Sequence, residues 1–275
     1  MSDITIVTAF FDIGRSNWNK TIHNVETPHY IPRSTELYFS YFENLSKMKN
    51  DMIIFCDEQN VNRIENIRKN NAPESNTTVI STNFQETVKN MKPTIEKIQR
   101  QPEYYKFVDD PRMPEYWNAD YVLVNYMKTD FVNHAYDNAI IKTNLAAWLD
   151  FGYVRNPEML PDTLLWEYDF DSDKMHYFIK RPMDFGRPIF DIVRTNSVYI
   201  MGCHIVGGKD PWLKHKHMNM RSMGSLLDCG LVDDDQTILL MNYRANPKMF
   251  DLHKIDIQNE NWKEWNVVMK NFNRR

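Results

Sequence analysis

Three short apolar runs rich in β-branched residues, Ile4 to Phe11, Met52 to Cys56 and Thr78 to Ser81, alternate with two stretches of helical period. That alternation restricts the fold more than any other feature of the chain. The first helical stretch opens at Ser34 and places Tyr38, Tyr41, Phe42 and Leu45 on one face; the second runs from Val61 to Lys69. Strand, helix, strand, helix, strand is the signature of a parallel sheet covered by helices, because parallel neighbours need a crossover long enough to hold a helix.

The rest of the chain extends this α/β pattern. Phe84 to Trp117 carries Pro93, Pro102, Pro111 and Pro114 and is expected to be an irregular substrate loop. Asn118 to Tyr136 reads as one long helix, and Leu145 to Asp150 as a buried strand that stops on an acid. Three more strands are expected at Leu164 to Trp166, Met175 to Ile179 and Ile192 to Met201, then a helix from Asp234. The expected architecture is a single domain over 1–275 with a mostly parallel sheet, mixed at one edge and flanked by helices.

Charge and cysteines narrow the function. A net charge of −4 argues against general nucleic-acid binding, which needs clustered Lys and Arg to neutralise phosphates. Cys56, Cys203 and Cys229 lack metal-site spacing and fit reduced thiols. With no signal-like N-terminus and no run approaching a membrane span, the expectation is a cytoplasmic protein, at most peripheral at the inner face of the inner membrane. Oligomeric state is not readable.

In open parallel sheets ligands bind beyond the carboxyl ends of the strands. There the sequence places Asp12 and Arg15 after the first strand, Asp57 after the second and Asp150 after the late strand. An arginine fork and carboxylates together suit a diphosphate with a divalent cation. Asp12 and Asp57 equally suit turn capping. Gly207 and Gly208 would let backbone approach a ligand closely or make a tight turn. His215 and His217 are two residues apart, wrong for one helix face, so the Lys214 to His217 run reads as a basic surface rather than a zinc site. Asp233 and Gln236 have capping-box spacing, and an acid beside them could also serve chemistry.

Residues 5–15 with Trp18, residues 147–153, and the block formed by 232–237, Asn246, Pro247 and Phe250 together resemble the bacterial HtrL/YibB family. Its members are similar in outline to GT-A glycosyltransferases. The resemblance implies a nucleotide-sugar-binding half (1–150) and an acceptor and catalytic half (151–275). It implies a glycosyltransferase, specifically a hexosyltransferase, moving a sugar from a UDP-sugar to a surface polysaccharide, lipopolysaccharide or lipid-linked glycan. Thr8, Phe10, Arg15, Asp57, Lys128, Asp150, Gly207 and Gly208 would bind the donor, Lys128 through its phosphates. Asp150 would match the metal-binding acid, with His253 completing a Mn²⁺ or Mg²⁺ site, although Gly152 stands where a second acid is expected. Asp235, then Asp234, would be the catalytic acids. The alternatives are a metal-dependent nucleotide-sugar hydrolase and a non-catalytic nucleotide- or glycan-binding protein.

Overall fold

Residues 3–18, 21–22, 25–255 and 267–274 are described by the computed structural model. Their strands are β1 (Ile4–Phe10), β2 (Thr21–Ile22), β3 (Val25–Glu26), β4 (Met52–Cys56), β5 (Thr77–Ser81), β6 (Leu145–Leu149), β7 (Met175–Ile179), β8 (His204–Gly207) and β9 (Phe250–Lys254). β2 and β3 form a small antiparallel pair. The others make one seven-stranded sheet in the order β5-β4-β1-β6-β8-β7-β9. β1 pairs in parallel with both β4 and β6, and β8 runs antiparallel to β6 and β7. The sheet is therefore mostly parallel and mixed, with the reversed strand inside it rather than at its edge.

Both faces of the sheet are covered, which is why the central strands are apolar without alternation. Ile4, Ile6 and Phe10 of β1 pack on one side with Phe39, Phe42 and Leu45 of the helix Thr35–Leu45. Val7 packs on the other with Phe131, Val132 and Ala135 of the helix Lys128–Asp137. Ser34 starts the first of these helices by accepting from the Leu37 N–H at 3.1 Å, one of the donors a helix start leaves unpaired.

Several elements differ from expectation. The long helix breaks at Met127 into Ala119–Tyr126 and Lys128–Asp137. The proline-bearing stretch holds helices Phe84–Val88, Lys92–Gln99 and Pro102–Phe107. Pro93 and Pro102 sit in first turns, where a missing N–H costs nothing. Ile192 to Met201 is not a strand: Ile189–Thr195 is helical and stops at Asn196 in the left-handed region, φ 48°. Trp166 joins no sheet, because the Asn50 side chain takes up its backbone, accepting from its N–H at 2.8 Å and donating to its carbonyl at 2.9 Å.

Candidate functional site

From β1 the chain moves outward to β4 and β5 on one side, whereas β6 lies on the other side of β1. The helices that flank this point cover opposite faces, so a crevice opens beyond the carboxyl ends of β1 and β6. A cleft of about 800 Å³ occupies it. Its floor comes from residues that follow β1 and β6, among them Asp12, Arg15, Asp150 and Arg155. Tyr38 and Tyr41 form one wall, and Tyr121, Asn125 and Lys128 the other.

The turn after β1 is built to present Arg15. Gly14 takes φ 73°, a conformation that suits glycine. Asp12 ties the turn down, its Oδ1 accepting from the Gly14 N–H at 2.9 Å and its Oδ2 from the Thr35 hydroxyl at 2.9 Å. Arg15 Nε donates to the Ile31 carbonyl at 2.8 Å and Nη1 to the Tyr38 hydroxyl at 2.7 Å. Its guanidinium lies 5.3 Å from the Trp18 ring centre and 5.6 Å from that of Tyr121. The fork is thus held rigid by neutral partners and keeps its charge for the cleft. Arg33 and Arg155 join it on the lining. Burial, then the nearby Arg33 charge, lowers the Arg155 pKa from its ordinary value. That crowding of positive charge favours an anion between them.

The same cleft is bordered by an ion triad. Lys128 Nζ is 3.0 Å from Asp150 Oδ1, 2.8 Å from Asp235 Oδ2, and donates to the Gly202 carbonyl at 2.9 Å. Lys128 is 5% exposed. Burial disfavours its ammonium, but the Asp150 and Asp235 carboxylates outweigh that cost and raise it above the ordinary lysine value. Burial likewise pushes the Asp235 carboxyl up, and the Lys128 charge opposes that push. Asp150 Oδ1 also accepts from the Trp148 indole N–H at 2.9 Å. Its side chain remains 39% exposed, which leaves Oδ2 to the cleft. Gly202 is required here: a Cβ at that position would collide with the Asp235 carboxylate.

The acidic run at 233–235 behaves differently from expectation. Asp234, not Asp233, caps the helix Asp235–Ala245, its Oδ1 accepting from the Gln236 N–H at 2.9 Å. Asp233 accepts from the Asp234 N–H at 2.9 Å and from the Thr237 hydroxyl at 2.7 Å. Burial, then the Glu115 charge, pushes Asp233 up to about 8. Burial, then the Asp234 charge, does the same to Glu115, also up to about 8. Asp235 and Asp234 are both off the cleft lining, where Gln236 stands instead.

The remaining expected residues divide. Phe10 lines the cleft. Thr8 is buried, and its hydroxyl has no hydrogen-bond partner among the described residues. Asp57 lies past the end of β4, off the lining, with its carboxyl raised chiefly by burial. Gly207 pairs with Ala146 near the start of β6, at the end of the sheet away from the cleft. Gly208 packs there against the Ser172 carbonyl, so both glycines serve close packing. His215 is no surface residue: it is buried between the Tyr177 hydroxyl at 2.5 Å and the Thr129 hydroxyl at 3.2 Å.

Among the described residues, the side chains around Asp150 do not fit a divalent cation. His253 is not brought to Asp150: it bonds the His176 ring at 2.9 Å, and burial lowers its pKa to about 4. The inner oxygen of Asp150 is taken by an ammonium and an indole N–H. Among the described residues no group of three or more His, Cys, Asp or Glu could hold a metal ion. Sequence reasoning missed Arg33, Arg155 and Gly202, none of which sits in a recognisable local pattern, and read Gln236 only as part of a helix start.

The fold and cleft define an α/β protein with a mixed sheet and a polar crevice at its switch point. Residues 2–265 match the family described as "Bacterial protein of unknown function (HtrL_YibB)", and the chain belongs to that family. Protein HtrL of Escherichia coli (strain K12) is 38% identical over 257 residues, covering 92% of this chain and 88% of its own length. Among solved structures, apo mouse xyloside xylosyltransferase 1 is similar at a TM-score of 0.44 and 10% identity, over 90% of this chain and 84% of that one. No helix among the described residues is long and apolar enough to cross a membrane.

Proposed function

We propose that the cleft binds a nucleotide-sugar donor and that the protein is a glycosyltransferase. The observation that carries this reading is the convergence of Arg15, Arg33 and Arg155 with the half-exposed Asp150 on one cleft at the switch point. Guanidiniums grip diphosphate oxygens in forks, and the Tyr38, Tyr41 and Tyr121 rings offer faces for a base or a sugar. The donor is a UDP-sugar, and the acceptor a surface polysaccharide or lipopolysaccharide glycan.

Asp150 Oδ2 is the oxygen poised toward the reacting groups, either accepting from a donor-sugar hydroxyl or taking the acceptor's proton. Asp235 acts through Lys128, holding the ammonium that orients Asp150. Asp234 supports the same helix as its cap. These assignments move the expected chemistry from the 233–235 acids to the acid at the end of β6.

A product assay with a UDP-sugar and glycan acceptors tests the reading. Asp150→Asn should keep nucleotide affinity and lose about 10²–10⁴ in transfer rate, the scale of a positioned proton-transfer group. Release of free sugar without glycan product would make the protein a hydrolase. Undiminished transfer by the variant would remove Asp150 from the chemistry.

A further inference from the structure

Two carboxylates from distant parts of the chain meet at one buried ammonium. Lys128 Nζ donates to the Gly202 carbonyl and lies within ion-pair distance of one oxygen each of Asp150 and Asp235. A divalent ion shared by Asp150 and Asp235 would need their oxygens at about 2.0–2.6 Å. That position lies in the volume filled by Nζ, which is 3.0 and 2.8 Å from the same two oxygens. Displacing the ammonium would leave a buried charge without partners, a strongly unfavourable change. Gly202 shows that the arrangement is built rather than incidental, since any larger residue would push Asp235 away from Lys128.

Resting on the nucleotide-sugar reading of the cleft, we propose that Lys128 is the protein's own cation at this site. Its ammonium stands where a bridging divalent ion would lie between Asp150 and Asp235, and a nucleoside diphosphate binds without a metal. Lys128 offsets one of the two carboxylates, so the triad keeps a net negative charge. The charge of the diphosphate is therefore met by Arg15, Arg33 and Arg155, which share the cleft lining with Lys128 and Asp150. Without the ammonium, both carboxylates would repel the diphosphate.

Two titrations test this on the intact protein. Mn²⁺ alone is added to the free protein and its unbound signal followed by electron paramagnetic resonance. UDP binding is measured by calorimetry, once with a chelator and once with Mn²⁺. Wild type should leave Mn²⁺ free and bind UDP within about twofold in the two conditions. Lys128→Ala should bind UDP at least about tenfold more weakly with chelator, and Mn²⁺ should restore part of the loss. Uptake of Mn²⁺ by wild type, or UDP binding at least about tenfold tighter with Mn²⁺, would overturn the proposal. So would Lys128→Ala binding UDP like wild type under chelator. Should that variant not fold, the wild-type titrations decide alone. If UDP binds in neither condition, the nucleotide reading falls, and the Mn²⁺ titration still decides whether the ammonium holds a metal's place.

Discussion

Lys128 Nζ lies 2.8 Å from Asp235 Oδ2, joining the helix that precedes β6 to the helix that follows the acidic run. This contact is buried on both sides, at 6% and 7% side-chain exposure. It fixes the second partner of Lys128, Asp150, at the edge of the cleft. In this chain of contacts a buried acid positions an ammonium, and the ammonium positions a half-exposed acid.

Asp235→Asn leaves the ammonium short of a charged partner in a buried place. Breaking a buried pair from one side typically costs about 3–5 kcal/mol, so a clear fall in melting temperature is expected. Asp150→Asn, whose side chain is partly solvated, should melt closer to wild type while losing transfer. Thermal denaturation of both variants checks the order. Equal stability of Asp235→Asn and wild type would contradict the triad as described.

Gly202→Ala should destabilise by about 1–3 kcal/mol, the usual cost of forcing an extra methyl into a packed site. The collision is with the Asp235 carboxylate. In an Asp235→Ala background the same change should therefore cost far less, because the two positions are coupled. A double-mutant cycle by chemical denaturation reads this directly, and additive losses would speak against the contact.

Glu115→Gln should raise stability in alkaline buffer and change it little in acid. Burial, then the Asp234 charge, puts the folded-state pKa at about 8, above the ordinary 4.5. The folded protein thus binds more protons than the unfolded chain between those values, and stability falls as pH rises through that window. Above it the wild type carries the full penalty, which the neutral amide avoids. Gln can still accept from the Asn196 side-chain amide, which donates to Glu115 Oε1 at 2.5 Å. Melting curves at pH about 5 and about 9 test this; a stabilisation confined to the acid side would reverse the argument.

Legibility in the sequence followed the locality of each signal. β1, β4 and β6 are readable because each is a short apolar run bounded by polar residues, β5 by its β-branched Thr77 to Ile80, and Ser34 marks its helix by its own capping chemistry. Asp150 was found because the end of a parallel strand is a place, not merely a residue type. The strand expected at Ile192 to Met201 rests on β-branched Ile192 and Val193, which the fold instead buries from the last turns of the Ile189–Thr195 helix. Asp234 and Asp235 look alike in sequence; their different fates, one a cap and one an ion partner, follow from φ/ψ at a helix start and from the gap left by Gly202. Arg33 and Arg155 lie in irregular chain and become site residues through the fold alone.

Calorimetric titration of wild type and an Arg15→Ala, Arg155→Ala double variant with UDP-, GDP- and CMP-sugars asks whether the arginines of the cleft hold a donor diphosphate. Wild type should bind at least one of these donors, UDP-sugars first, with a Kd between about 1 μM and 1 mM. Each arginine should contribute about 1.5–3 kcal/mol, the range of a hydrogen bond to a charged group, so the double variant should bind at least about 100-fold more weakly while melting as a folded protein. Wild type giving no heat with any of these donors, or the double variant binding as tightly as wild type, would contradict the donor-binding role of the cleft arginines.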